Sequence, residues 1–251
     1  MRSTSGARMA GLCSVGLGLT LAAGSAFAAG NELAVNNGYE LVENTVGFLP
    51  DAYGDWRGDF SQITVAQDGI IPFEGVEMLQ LIDTSFDVSS KNTVASEVWQ
   101  LIDLTSVMDV VQTGTAELHG EAYFNRIAGD QLTDTRFSVM LSAYSGSTAD
   151  FSDMWSSGSH LAQAQGIIYT DADTQTWELA EINLVLPAET DYVALRVAAV
   201  EDSFNDLYHP EFAGHYADAS AVWLVPSPAA ASLLLAGCGL TMGGRRRRKT
   251  A

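Results

Sequence analysis

The chain has 251 residues, 47% of them hydrophobic and 17% charged, and its 31 acids against 12 bases leave a formal charge of −19. So acidic a protein repels the phosphates that nucleic-acid binding must neutralise, which argues against a nucleic-acid partner. The apolar fraction is high enough to build a core, so the chain is not disordered as a whole. One folded domain with specialised ends is the expectation.

Residues 1–28 begin with Arg2 and Arg8, continue through an apolar stretch from Met9 to Ala23, and end on Ala26-Phe27-Ala28. Small residues at Ala26 and Ala28 suit signal peptidase, and the apolar stretch is shorter than a membrane span needs. A secretory signal cleaved after Ala28 is predicted. Apart from those two arginines and the cluster that starts at Arg245, only five bases lie among all 31 acids, so the central part, residues 29–225, is far more acidic than the net charge suggests. Its surface stays soluble and attracts cations.

Period-two alternation and short apolar runs bounded by turn residues predict nine strands: 60–65, 76–82, 97–102, 115–124, 137–144, 161–169, 176–184, 192–200 and 219–225. In the eighth, Val193, Leu195 and Val197 should face inward and Tyr192 and Arg196 outward. No long segment sustains a 3.6-residue period. Nine strands without helical crossovers imply an all-β fold, an antiparallel sandwich. The stretch Asp171-Ala172-Asp173-Thr174-Gln175-Thr176 starts like a calcium loop but has Thr176 where glycine is needed, and is expected to be a solvated hairpin turn. The only cysteines, Cys13 and Cys238, lie in the two end segments, so no disulfide holds the domain.

Evidence of catalysis is sparse. The histidines His119, His160, His209 and His215 form no His-Glu-x-x-His pair, and there is no Gly-x-Ser-x-Gly elbow, phosphate loop or dinucleotide fingerprint. A non-enzyme is expected. Sugar binding would need exposed aromatic platforms, and Tyr53, Trp56, Trp155 and Tyr208 qualify because they fall in predicted loops. Trp99, Trp177 and Trp223 fall within strands and are expected in the core.

The C-terminal segment, 226–251, reads Pro226-Ser227-Pro228 after Val225, then an apolar run from Ala229 to Gly244, then Arg245, Arg246, Arg247, Arg248 and Lys249. A helix over the run rises only about 24 Å, and snorkelling basic residues would let it span. The order of proline motif, short transmembrane helix and arginine cluster resembles the PEP-CTERM sorting signal, with Ser227 where that family usually has Glu. The resemblance implies an exosortase as processing partner, transient retention in the inner membrane through the helix, and a final place at the cell surface or outside the cell.

At the other end of the domain, Asn36-Asn37-Gly38-Tyr39-Glu40 resembles the opening motif of galactose-binding-like jelly-roll domains, which include several carbohydrate-binding modules. The stretch from Gly214 to Leu224, in which Asp218 precedes alternating apolar residues, resembles their closing strand. The resemblance implies a jelly roll and, as the only cofactor, a structural calcium ion held by Glu40 and Asp218, hard oxygen ligands that would stitch the two ends of the domain. The expected function is a non-catalytic module that associates with extracellular polysaccharide or envelope matrix. The alternatives are a secreted hydrolase of the same architecture and a structural envelope protein without a sugar ligand.

Overall fold

The computed structural model describes residues 32–82, 95–127, 135–171, 173–200 and 214–225. Two five-stranded antiparallel sheets face each other. The back sheet runs β1 (Arg57–Gly58), β4 (Ala95–Asp103), β9 (Tyr192–Val200), β6 (Arg136–Tyr144), β7 (Ala162–Ile168). The front sheet runs β2 (Ser61–Val65), β3 (Glu77–Leu81), β10 (His215–Val225), β5 (Glu117–Arg126), β8 (Glu178–Val185). Two short helices, α1 (Met108–Val111) and α2 (Phe151–Ser157), sit in connections.

All nine predicted strands form, and the sandwich is as expected. The two-residue β1 was not anticipated, being too short to show a period, and β10 starts four residues before the predicted 219. The stretch from Asp171 to Thr176 is not a hairpin: β7 and β8 lie in opposite sheets, so it turns the corner between layers. Its bonds from Asp173 N to Asp171 Oδ1 and from Gln175 N to Asp173 Oδ1 make a local turn. Alternation signals a strand but not its sheet, hence the error. The helices, too, were not predicted. In α2 only Phe151, Met154 and Trp155 keep a helical spacing, and Gly158 ends the helix in the left-handed region at φ 68°.

Alternation fills the space between the sheets. Val98, Phe137, Val139, Leu141, Val193, Leu195 and Val197 from the back sheet meet Leu118, Ala122, Phe124, Ile182 and Val222 from the front. Burying each large side chain contributes about 1.5–3 kcal/mol. Gly166 of β7 marks the closest approach, since a Cβ there would stand 2.6 Å from the Glu181 carbonyl oxygen of β8. Only glycine lets the layers meet at this edge.

Candidate functional site

The last strand lies at the centre of the front sheet, between β3 and β5. Its register with β5 slips between Asp218 and Ala221, a bulge in which Ala219 has φ 46°. Before the bulge β10 pairs with β3. After it the N-terminal segment takes that side, with Glu32 opposite Trp223 and a 2.8 Å bond from Leu33 N to Val222 O. The opening motif locks the bulge: the Tyr39 hydroxyl donates to Ser220 Oγ at 2.7 Å, and Ser220 N donates to Asn37 O at 2.8 Å. The two ends compared with jelly-roll motifs thus meet in space.

Glu40 and Asp218 grip one turn. Glu40 Oε1 accepts from Val76 N at 2.8 Å and Glu77 N at 3.1 Å, and Asp218 Oδ2 accepts from Phe73 N at 2.8 Å and Glu74 N at 3.2 Å. Gly75, at φ 63°, makes room, because a Cβ there would fall onto Glu40 Oε1. Asp218 is fully buried. Burial, helped by the charge of Glu74, pushes its carboxyl up to about 7, against the pull of N–H donors from Glu74, Ala219 and Phe73.

The front sheet's outer surface carries a cavity of about 580 Å³. It arises because β5 turns Leu118 and Ala122 into the core and so leaves His119, Glu121 and Tyr123 outside. Register then makes two rows, Trp223–His119–Asn183 and Ala221–Glu121–Glu181. The His119 ring lies 4.6 Å from that of Trp223, and its Nδ1 is 2.8 Å from Asn183 Oδ1. Its Nε2 stands 3.6 Å from Glu121 and 3.9 Å from Glu181, within ion-pairing distance of both carboxylates when the ring is protonated. The Glu121 carboxyl is raised by burial, with the charges of Glu181 and Glu74 adding and that of His119 opposing. Two residues along β5, Tyr123 stacks on Phe73 at 3.8 Å and 15°, and Trp177 meets Phe73 edge-on at 6.4 Å. From His119 to Tyr123 is about 14 Å of strand, with an aromatic station at each end and two carboxylates between.

The back sheet's outer surface is closed instead. Trp99, Leu101, Met140, Tyr144, Tyr192 and Ala194 form a second apolar cluster capped by Phe151, Met154 and Trp155 of α2 and by Leu49. Beside it Glu97 pairs with Arg196 at 2.5 Å, and the Arg196 guanidinium lies 5.6 Å over Trp99.

The residues expected to stack on sugar are therefore scattered. Tyr53 remains 44% exposed and bridges to Leu101. Trp155 is half-buried, edge-on to Trp99 at 4.5 Å. Trp56 is a correction: it is wholly buried, packed on Tyr39 at 5.2 Å, and its Nε1 donates to Val35 O and Asn36 O. Flanking glycines signalled a loop, but this loop plugs the end of the sandwich. Trp223, assigned to the core, instead faces the groove, because it is an odd-numbered residue beyond the bulge. Tyr208, the signal residues Ala26 and Ala28, and Pro226, Ser227, Pro228 and Arg245 to Arg248 lie outside the described residues. Val225 ends β10 and lines the groove. Among the described residues no helix is long and apolar enough to cross a membrane.

The raised carboxyl of Asp218 has a thermodynamic signature. Between its ordinary value of 3.8 and about 7 the folded chain keeps a proton that the unfolded chain has lost, so rising pH favours unfolding across that window and levels off above it. In chelator-treated protein, the stability difference between wild type and Asp218→Asn should change steadily from about pH 4 to about pH 7. Parallel profiles in urea titrations would show that the burial does not act on ionisation.

No protein-family model and no curated relative matches the chain. Among solved structures it is similar to the carbohydrate-binding module TmCBM61 in complex with β-1,4-galactotriose, with 13% identity over 78% of this chain and 99% of that one, at a TM-score of 0.45. It is also similar to the CBM22-1 xylan-binding domain from Paenibacillus barcinonensis Xyn10C, with 17% identity over 79% and 97% and a TM-score of 0.43. A third is the enzymatically active domain of bacteriophage CBA120 tailspike protein 4, with 9% identity over 77% of this chain and 21% of that one, at 0.44. At these scores the likeness assigns neither ligand nor residue.

Proposed function

We propose that the protein is an exported, non-catalytic surface protein that holds extracellular polysaccharide on the outer face of its front sheet. The observation that carries this reading is the groove itself. Trp223 and His119 line it with rings on which a sugar face can stack, Glu121, Glu181 and Asn183 line it with acceptors for hydroxyls, and the stacked pair Phe73–Tyr123 stands next to it along β5. In titrations of the purified protein against a panel of soluble polysaccharides, Trp223→Ala and Phe73→Ala should each weaken the bound member about tenfold. Trp56→Ala, a core deletion, should instead cost about 3–5 kcal/mol of stability in urea. Release of new reducing ends by the wild type would replace binding with hydrolysis, and binding indifferent to Trp223 and Phe73 would remove the groove.

Calcium at Glu40 and Asp218 is a second element of the proposal. Two carboxylates from opposite ends of the domain close on the turn 73–77, Glu74 lies beside them, and a cation would offset the cost of ionising the buried Asp218. Among the described residues no three Asp, Glu, His or Cys side chains are grouped to hold a metal, so carbonyl oxygens would complete the shell. Calcium should raise the thermal midpoint of wild type and not of Asp218→Asn. An unchanged midpoint in both removes the ion.

Export rests on the end segments. Cleavage after Ala28 and exosortase processing near Pro226-Ser227-Pro228 would leave the domain at the surface, released from the inner membrane. Protein recovered from the native envelope should have an intact mass that lacks the signal and the terminal arginines; the mass of the full chain would refute both cleavages.

A further inference from the structure

A strand at the edge of a sheet leaves every second N–H and C=O without a partner, and folded proteins guard such edges with charge, proline or brevity. Three of the four edges here are guarded. β1 is two residues long, β8 carries Glu178 and Glu181, and the five-residue β2 follows Asp59 and ends with Val65 opposite Glu77. β7 has no such guard: its seven residues, Ala162–Ile168, include neither a charge nor a proline. Its neighbour β6 holds no acid either, so two adjacent strands form an acid-free surface in a chain with 31 acids. Ala162, Ala164 and Ile168 turn toward the core, while Gln163, Gln165, Ile167 and the preceding Leu161 stand exposed on the outer face. Among the described residues no strand pairs with the second edge of β7. The run Leu161-Ala162-Gln163-Ala164-Gln165-Gly166-Ile167 also reads alike in both directions from Ala164: a small residue in the centre, an amide, a small residue, then a large apolar one.

We propose that β7 pairs antiparallel with β7 of a second copy of this chain about a two-fold axis at Ala164, joining two back sheets into one of ten strands. A two-fold interface must be complementary to itself, which is what the palindrome supplies. The axis sets Leu161 opposite Ile167 of the second copy, Ala162 opposite Gly166 and Gln163 opposite Gln165, each of them twice. Main-chain bonds between the edges hold the pair, as in other strand additions. Each glutamine amide both donates and accepts, so the two Gln crossings are satisfied without charge. Two chains of formal charge −19 repel each other, and an edge without acids is where their approach costs least. A strand from an unrelated protein would have no use for the palindrome. Because each copy spends its β7 edge on the other, assembly closes at the dimer.

The test is sedimentation equilibrium of the full chain in density-matched detergent, which keeps the apolar end segments from associating. Wild type should form a reversible dimer. The double variant Gln163→Glu with Gln165→Glu sets carboxylate against carboxylate at both crossings and should weaken the dimer about tenfold or more. The double variant Gln163→Glu with Gln165→Lys sets opposite charges there and should dimerise at least as well as wild type, which also shows that the loss in the first variant is not one of folding. A wild type monomeric at every concentration would overturn the proposal. So would a dimer indifferent to the first variant, which would lie elsewhere on the surface, or equal weakening by both variants, which would exclude this register. Assembly growing beyond two copies would overturn the closed pairing.

Discussion

The insertion of β10 between β3 and β5 is the constraint on which the architecture depends. A final strand in mid-sheet closes the domain only if both its edges find partners; β5 covers one edge from His215 to Val225, but β3 covers only His215 to Ala217 of the other. The bulge at Asp218–Ala221 resolves this by handing that edge from β3 to the N-terminal segment. The strained backbone at Ala219 is held by Tyr39, Ser220 and Asn37, which come from the two ends of the described domain. Asp218 shares the outer face with its cross-strand partner Tyr123 and is buried there because the turn it supports covers it, with Phe73 N and Glu74 N donating to its carboxylate.

That hand-over also decides which face can work. Beyond the bulge Trp223 emerges opposite His119, and the row continues to Asn183. Without the slip, the alternation of β10 and its register against β5 would differ. The back sheet, whose strands pair without interruption from Ala95 and Val200 to Asp103 and Tyr192, carries a comparable wealth of aromatics but spends them on packing under α2. Two outer faces of similar composition thus diverge, one into a second core and one into an open groove, because only one is covered by a helix.

The groove's chemistry is consistent with the composition of the chain. An acidic surface draws cations toward it, and in the groove that diffuse preference becomes two opposed carboxylates beside the rings of His119 and Trp223.

The all-β class, nine of the ten strands and the inward faces of β9 were legible in local pattern, where Val193, Leu195 and Val197 declare their face without reference to a partner, and the convergence of the two end motifs was implied only by their resemblance to jelly-roll motifs. The assignment of β7 and β8 to different sheets, the brevity of β1, the burial of Trp56 and the outward, half-buried setting of Trp223 were decided by tertiary structure alone. A loop tryptophan reads the same whether it caps a core or faces water, and a strand tryptophan changes face with each residue of bulge. Glu121 and Glu181 are separated by 60 residues of sequence among 31 acids and become a pair only through the register of β5 with β8. Pairing across a sheet is a long-range choice made by packing, and local sequence carries no record of it.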